Sequence, residues 1–257
     1  MAKIMGIVNL TPDSFYAPSR ATAAQAQERI LTLCAQGAEI IDLGAVSTRP
    51  GAAPVTPEEE WSRLEPVLRR WDAPAILSVD TTRAEIVRRV YDLAGPFVVN
   101  DISAGEDDPQ MLPTVGRLGL CYVAMHKRGD PRTMDALCAY PEGVVNALVA
   151  YFAAFAQQAE ANGIVDWVLD PGLGFAKTAE QNWEILAGLD CLRGFDRPIL
   201  VGAADKRFTR VPPPFPLPGL PADSPTERAH RLALAHGADI LRVHDVAAAQ
   251  ATLRTTA

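Results

Sequence analysis

Asp80, Asn100, Asp170, Lys206 and Arg242 share one property: each falls at or just beyond the end of a short apolar run, in "AILSVD", "FVVND", "WVLDPG", "PILVGAADK" and "ILRVHD". A carboxylate accepts two parallel N–H bonds from an amidine-like edge, and an Asn amide donates and accepts at once. A planar guanidinium can lie on a ring face where a lysine cannot. The set suits a flat, nitrogen-rich heterocycle that alternates donors and acceptors along its edges. Asn9, Asp42, Asp101, His126 and His244 close runs in the same manner. For Asp42 or Asp101 alone, capping of the following turn is an ordinary explanation. For the whole set it is a poor one, because ionisable groups at buried strand ends cost desolvation free energy unless a ligand or partner offsets it.

A second group points to an anion. The segment "STRPG", Ser47 to Gly51, offers two hydroxyls, an Arg fork and a flexible Gly within one turn. Arg242 and His244 stand two apart on one run and share a face. Together they fit a phosphate or diphosphate beside the heterocycle, although a surface turn with an exposed Arg is the plain alternative for "STRPG".

Positioning these residues is the work of a repeated unit. Apolar runs of strand length ("KIMGIVNL", "EIIDLG", "AILSVD", "FVVND", "CYVAMH", "WVLDPG", "PILVGA", "ILRVHD") alternate with helical spacing over 21–36, 57–70, 82–93, 109–118, 142–162, 179–189, 225–236 and from 247 onward. Eight strands alternating with helices in a chain of 257 residues imply a single-domain (β/α)8 TIM barrel over 1–257. An open doubly wound sheet is the rival, but it calls for a Gly-rich turn after the first strand, and "NLTPDSF" is not one. In a barrel the strand-final residues gather at one rim, where active sites form.

Composition narrows the partners. The net charge of −7 and the absence of an extended basic run argue against a nucleic-acid footprint. Cys34, Cys121, Cys138 and Cys191 have no CxxC spacing, and the four histidines are scattered, which speaks against a His-based zinc site. Pro12 interrupts any signal-peptide core, and no apolar run approaches the roughly 20 residues that span a bilayer. The expectation is a cytoplasmic protein with reduced thiols and small-molecule substrates, without membrane or nucleic-acid partners.

The ordered motifs "IMGIVNLTPDSF", "STRPG", "SVDTTRAEI", "VNDISAG", "LDPGLGFAKTAEQNWEIL", "VGAADKRF" and "RVHD" resemble the dihydropteroate synthases along the whole chain. That resemblance implies the joining of a dihydropterin methyl diphosphate to p-aminobenzoate with loss of pyrophosphate, in folate biosynthesis. It implies that Asp80, Asn100, Asp170, Lys206 and Arg242 hold the pterin, with Asp80, Asp170, Lys206 and Arg242 acting in catalysis. Asn9, with Mg²⁺, would meet the diphosphate alongside Thr48, Arg49, Arg242 and His244. Phe175, Arg207, Thr48 and Pro50 would border p-aminobenzoate. It further implies a sulfonamide target and a homodimer.

Two places depart from that pattern. The family usually continues its first loop as "TPDSFsDGG", whereas this chain has "TPDSFYAPSRATAA", and Ala-Pro is stiffer than Gly-Gly. Ala204-Asp205-Lys206 stands for the family's Ser-Arg-Lys, and strand alternation would set Asp205 and Lys206 on opposite sides. The Pro-rich "RVPPPFPLPGLPADSP" that follows reads as a semi-rigid extended connection. These departures keep two alternatives open: a pterin-binding paralogue with reduced or lost synthase activity, and a pterin-dependent methyl transferase, which would have no need of the diphosphate residues.

Overall fold

The computed structural model describes residues 2–11, 19–46, 54–130, 133–217 and 222–256. Strands and helices alternate in chain order: β1 Lys3–Asn9, α1 Ser19–Ala35, β2 Ile40–Gly44, α2 Pro57–Leu68, β3 Ile76–Asp80, α3 Ala84–Ala94, β4 Val98–Asp101 and α4 Met111–Leu118. There follow β5 Cys121–Met125, α5 Val144–Ala161, β6 Trp167–Asp170, α6 Ala179–Ala187, β7 Leu200–Val201, α7 Pro225–Ala235, β8 Ile240–Val243 and α8 Val246–Thr256. All strand pairs are parallel, in the order β6-β5-β4-β3-β2-β1-β8-β7. A parallel bridge from Leu169 to Ile199 joins the two ends and completes the TIM barrel.

Helix starts follow local chemistry. Thr56 caps α2 and Thr178 caps α6, each in a reciprocal box with Glu59 and Gln181, and Ser224 accepts from the Glu227 N–H at the start of α7. Each cap satisfies an otherwise unpaired N–H and contributes about 1 kcal/mol. Pro57 and Pro225 occupy first-turn positions, where a missing N–H costs nothing.

The strands sort their side chains by parity. Outward residues pack with the helices into one large apolar cluster that includes Ile41, Leu43, Val99, Tyr122 and Trp183. Inward residues Met5, Ile40, Val123, Val168, Leu200 and Ile240 form a separate apolar plug. Two residues further along β2, β4, β6 and β8 the inward positions are Asp42, Asn100, Asp170 and Arg242. One barrel interior thus changes from apolar floor to charged rim within a single step of the two-residue repeat. In register, Asn9, Gly44, Asp80 and Asn100 form one row across β1 to β4.

Candidate active site

Arg242 is the hub of that rim. Its Nε and a terminal nitrogen lie 2.7 and 2.6 Å from Asp42 Oδ2, and the same terminal nitrogen is 2.8 Å from Asp80 Oδ2. These bonds run along the guanidinium edge, so they fix its plane without covering its face. The side chain keeps 23% of its exposure. Asp42 has none, and it also accepts from Ser78 Oγ at 2.6 Å and Asn100 Nδ2 at 3.0 Å. Asp42 therefore does not cap a turn. Asp101 does: on the outward face it takes the N–H groups of Ser103 and Gly105 and the Tyr122 hydroxyl.

Burial pushes the Asp80 carboxyl up to about 7, with Arg242 pulling the other way and Asp42, Asp101 and Glu60 adding to the rise. Burial also raises Asp170, against the opposing charge of Lys206 and the Gly172 N–H that Oδ1 accepts at 2.8 Å. Gly44 separates Asn9 from Asp80. A Cβ there would meet Asn9 Oδ1 at 3.5 Å and Asp80 Oδ2 at 3.9 Å, so both oxygens face one space.

Lys206 does not end a strand. The chain leaves β7 at Val201, turns through Asp205 at φ +57°, and brings Lys206 back over the rim. Its ammonium donates to Leu173 O and sits 4.8 Å from the Phe175 ring centroid. Burial lowers it to about 8, with Asp170 holding it up. Two-residue parity applies only inside a strand, so it does not set the directions of Asp205 and Lys206, which lie beyond Val201. Asp205 is an exposed turn residue whose N–H lies 3.5 Å from Thr226 Oγ1.

The remaining expected residues are placed unevenly. Arg207 lies at the mouth, 83% exposed, with Asp135 at 3.9 Å. His244 follows β8 and is exposed, and its carbonyl accepts from Arg29 of α1. Thr48, Arg49, Pro50 and the first-loop Tyr16-Ala17-Pro18 lie outside the described residues. His126 is no rim group: it is buried beneath Tyr151, their ring centroids 4.8 Å apart, and burial lowers it to about 3. Ser78 was missed, though its place two residues before Asp80 on β3 marks the same face.

Among the described residues, no group of three or more His, Cys, Asp or Glu could hold a metal ion. This fits an ion carried largely by phosphate oxygens, since Mg²⁺ commonly takes only one or two protein ligands beside its substrate and water. The Asn9 carbonyl oxygen, facing the rim, is of the right type.

A family model described as "Pterin binding enzyme" matches residues 5–244. Dihydropteroate synthase of Synechocystis is 38% identical, over 95% of this chain and 86% of its own. A solved dihydropteroate synthase from Clostridium difficile, obtained with pteroic acid, aligns at a TM-score of 0.86 and 31% identity, over 99% of this chain and 95% of its own. The Xanthomonas albilineans enzyme with 4-aminobenzoic acid aligns at 0.85 and 35%, over 99% and 91%.

Proposed function

The chain belongs to the pterin-binding enzyme family, among its dihydropteroate synthases, and from that premise we propose how its rim carries the reaction. The enzyme is a transferase that joins 6-hydroxymethyl-7,8-dihydropterin diphosphate to p-aminobenzoate and releases pyrophosphate. One observation supports the residue roles above all: Asp80, Asn100, Asp170 and Arg242 converge over a buried apolar floor, with Lys206 reaching in from the side.

Asn100 spends its amide N–H on Asp42, which leaves its carbonyl oxygen for a pterin N–H. Asp170 accepts Gly172 on one oxygen and offers the other to the amidine edge. Arg242, oriented by Asp42 and Asp80, lays its face on the ring. Carboxylates outnumber cations in this cluster and favour positive charge on the pterin, so the bond from methylene to diphosphate oxygen breaks first. Asp80 and Asp170 act electrostatically, without proton transfer.

Asn9, Thr48, Arg49, Arg242 and His244 receive the diphosphate, and Asn9 would hold the accompanying Mg²⁺. Bound there, Mg²⁺ would neutralise charge on the leaving group. The aniline nitrogen then attacks from a site bordered by Phe175, Thr48, Pro50 and Arg207, and gives up its proton to solvent or to the departing pyrophosphate. The exposure of Arg207 suits a carboxylate that points to solvent. A cytoplasmic homodimer completes the proposal; among the described residues no helix is long and apolar enough to cross a membrane.

A paralogue without synthase activity is not favoured, because relatives matching nearly the whole chain are named as synthases. The deciding experiment supplies both substrates and Mg²⁺ to the purified chain. Equal yields of pyrophosphate and dihydropteroate support the reading, and pterin binding without release overturns it.

A further inference from the structure

The segment from Pro171 to Ala176, between β6 and α6, alternates left-handed residues: Gly172, Gly174 and Ala176 have φ of +66°, +79° and +51°. Ala176 carries a Cβ and is strained there. Gly172 is pressed so closely on β5 that a Cβ would stand 2.0 Å from the His126 carbonyl oxygen. One backbone bond inside the loop, Phe175 N to Gly172 O at 3.1 Å, does not account for such a path.

Lys177 does. Its Nζ lies 2.9 Å from Gly172 O, 2.9 Å from Phe175 O and 2.9 Å from His126 Nδ1. An ammonium has three N–H bonds for these three close acceptors, and His126 O stands as a longer fourth at 3.4 Å. With the Lys177 ammonium as donor, the His126 imidazole accepts on Nδ1, the tautomer that carries its own proton on Nε2. Tyr140 binds Ala176 O at 3.0 Å, and Asn182 Oδ1 takes the Gly174 N–H at 2.7 Å. A side chain only 8% exposed that spends every donor on one loop and its neighbouring strand end is poorly explained as filler, since a methionine would fill the space without desolvating a charge.

Two groups of the rim hang on that loop. Leu173 O receives the Lys206 ammonium, and the Phe175 ring lies under it. We propose that Lys177 is a positioning residue for the p-aminobenzoate end of the site: by tying Gly172 and Phe175 to His126 it sets the Phe175 ring and, through Leu173, the reach of Lys206. This rests on the reading above that Phe175 borders p-aminobenzoate.

The test compares Lys177→Met, His126→Leu and His126→Gln with the unaltered enzyme by amide hydrogen exchange and steady-state kinetics. In Lys177→Met, exchange at Gly174 and Phe175 should rise about tenfold or more while α6 stays protected. The KM for p-aminobenzoate should rise about tenfold, with a smaller rise of about threefold in the KM for the pterin diphosphate, which feels the loop only through Lys206 and Asp170. His126→Leu should move both readouts the same way, and His126→Gln, which keeps an acceptor, should restore them; this pair carries the test if Lys177→Met does not fold. Unchanged loop exchange, or both KM values rising equally with loss of α6 protection, overturns the proposal. Phe175→Ala separates the two layers. If it leaves the p-aminobenzoate KM unchanged, the placing of that substrate falls and the assignment with it. If it raises that KM and Lys177→Met does not, the substrate reading stands and the positioning role is wrong.

Discussion

Arg242 Nε lies 2.7 Å from Asp42 Oδ2, although the two residues are 200 positions apart in the chain, on the strands either side of β1. Because Asp42 also receives Ser78 and Asn100, one buried carboxylate sets the geometry of three other inward side chains.

Asp42→Ala leaves Arg242 with half its counter-charge in a desolvated place. It is expected to lose about 3 kcal/mol of stability in urea denaturation, together with most turnover. Ser78→Ala, which removes one neutral donor, should cost about 1 kcal/mol.

The activity of the free enzyme should be confined to a narrow pH range. Below about 7, Asp80 takes up a proton and no longer favours positive charge on the pterin. Above about 8, Lys206 loses the positive charge with which it is proposed to hold the pterin, so capture of that substrate weakens. A bell-shaped kcat/KM with its top between these values is expected, its limbs reporting the coupled cluster rather than isolated groups. Lys206→Arg should carry the alkaline limb upward, and a flat profile from pH 6 to 9 would contradict the charge assignment.

Asp205 occupies the position of the family's Arg, yet it is an exposed, left-handed turn residue. Asp205→Arg should change kcat and sulfonamide inhibition by no more than about twofold, as surface substitutions usually do. Asp205→Gly should raise stability slightly by relieving the positive φ.

His230 on α7 is 3% exposed, and among the described residues its Nε2 has no hydrogen-bond partner. Burial lowers it to about 4, with Asp205 and Glu227 opposing. The unfolded chain therefore binds a proton near pH 6.5 that the folded chain refuses, and the associated stability, complete above that pH, is lost as pH falls toward 4. Relative to His230→Phe, the unaltered enzyme should lose about 2 kcal/mol between pH 7 and 5. At pH 7 the variant should be at least as stable, since it removes a buried unpaired nitrogen.

The barrel was legible because short apolar runs of strand length and the helical spacing between them are local signals, and each recurs in the next unit. Asp80, Asn100, Asp170 and Arg242 were legible as strand-final polar residues. Asp42 was seen in that set but not given its role, because nothing in "EIIDLG" reveals a partner on β8. Lys206 was read as the end of its run, but β7 ends at Val201, where alternation stops being a guide to direction, and a turn through Asp205 brings it to the rim. Lys177 and Asn182 lay in a quoted motif, but their function is to saturate loop carbonyls and an N–H, and only the path of the backbone through φ +66°, +79° and +51° makes that need visible.

The most direct test of the central claim, that the inward carboxylates hold the pterin and stabilise its cation, is Asp170→Asn measured by pyrophosphate release and by calorimetry with the pterin. Turnover is expected to fall by about a hundredfold or more, with pterin affinity falling alongside it and the fold intact. Near-normal turnover and affinity in a folded Asp170→Asn enzyme would contradict the account.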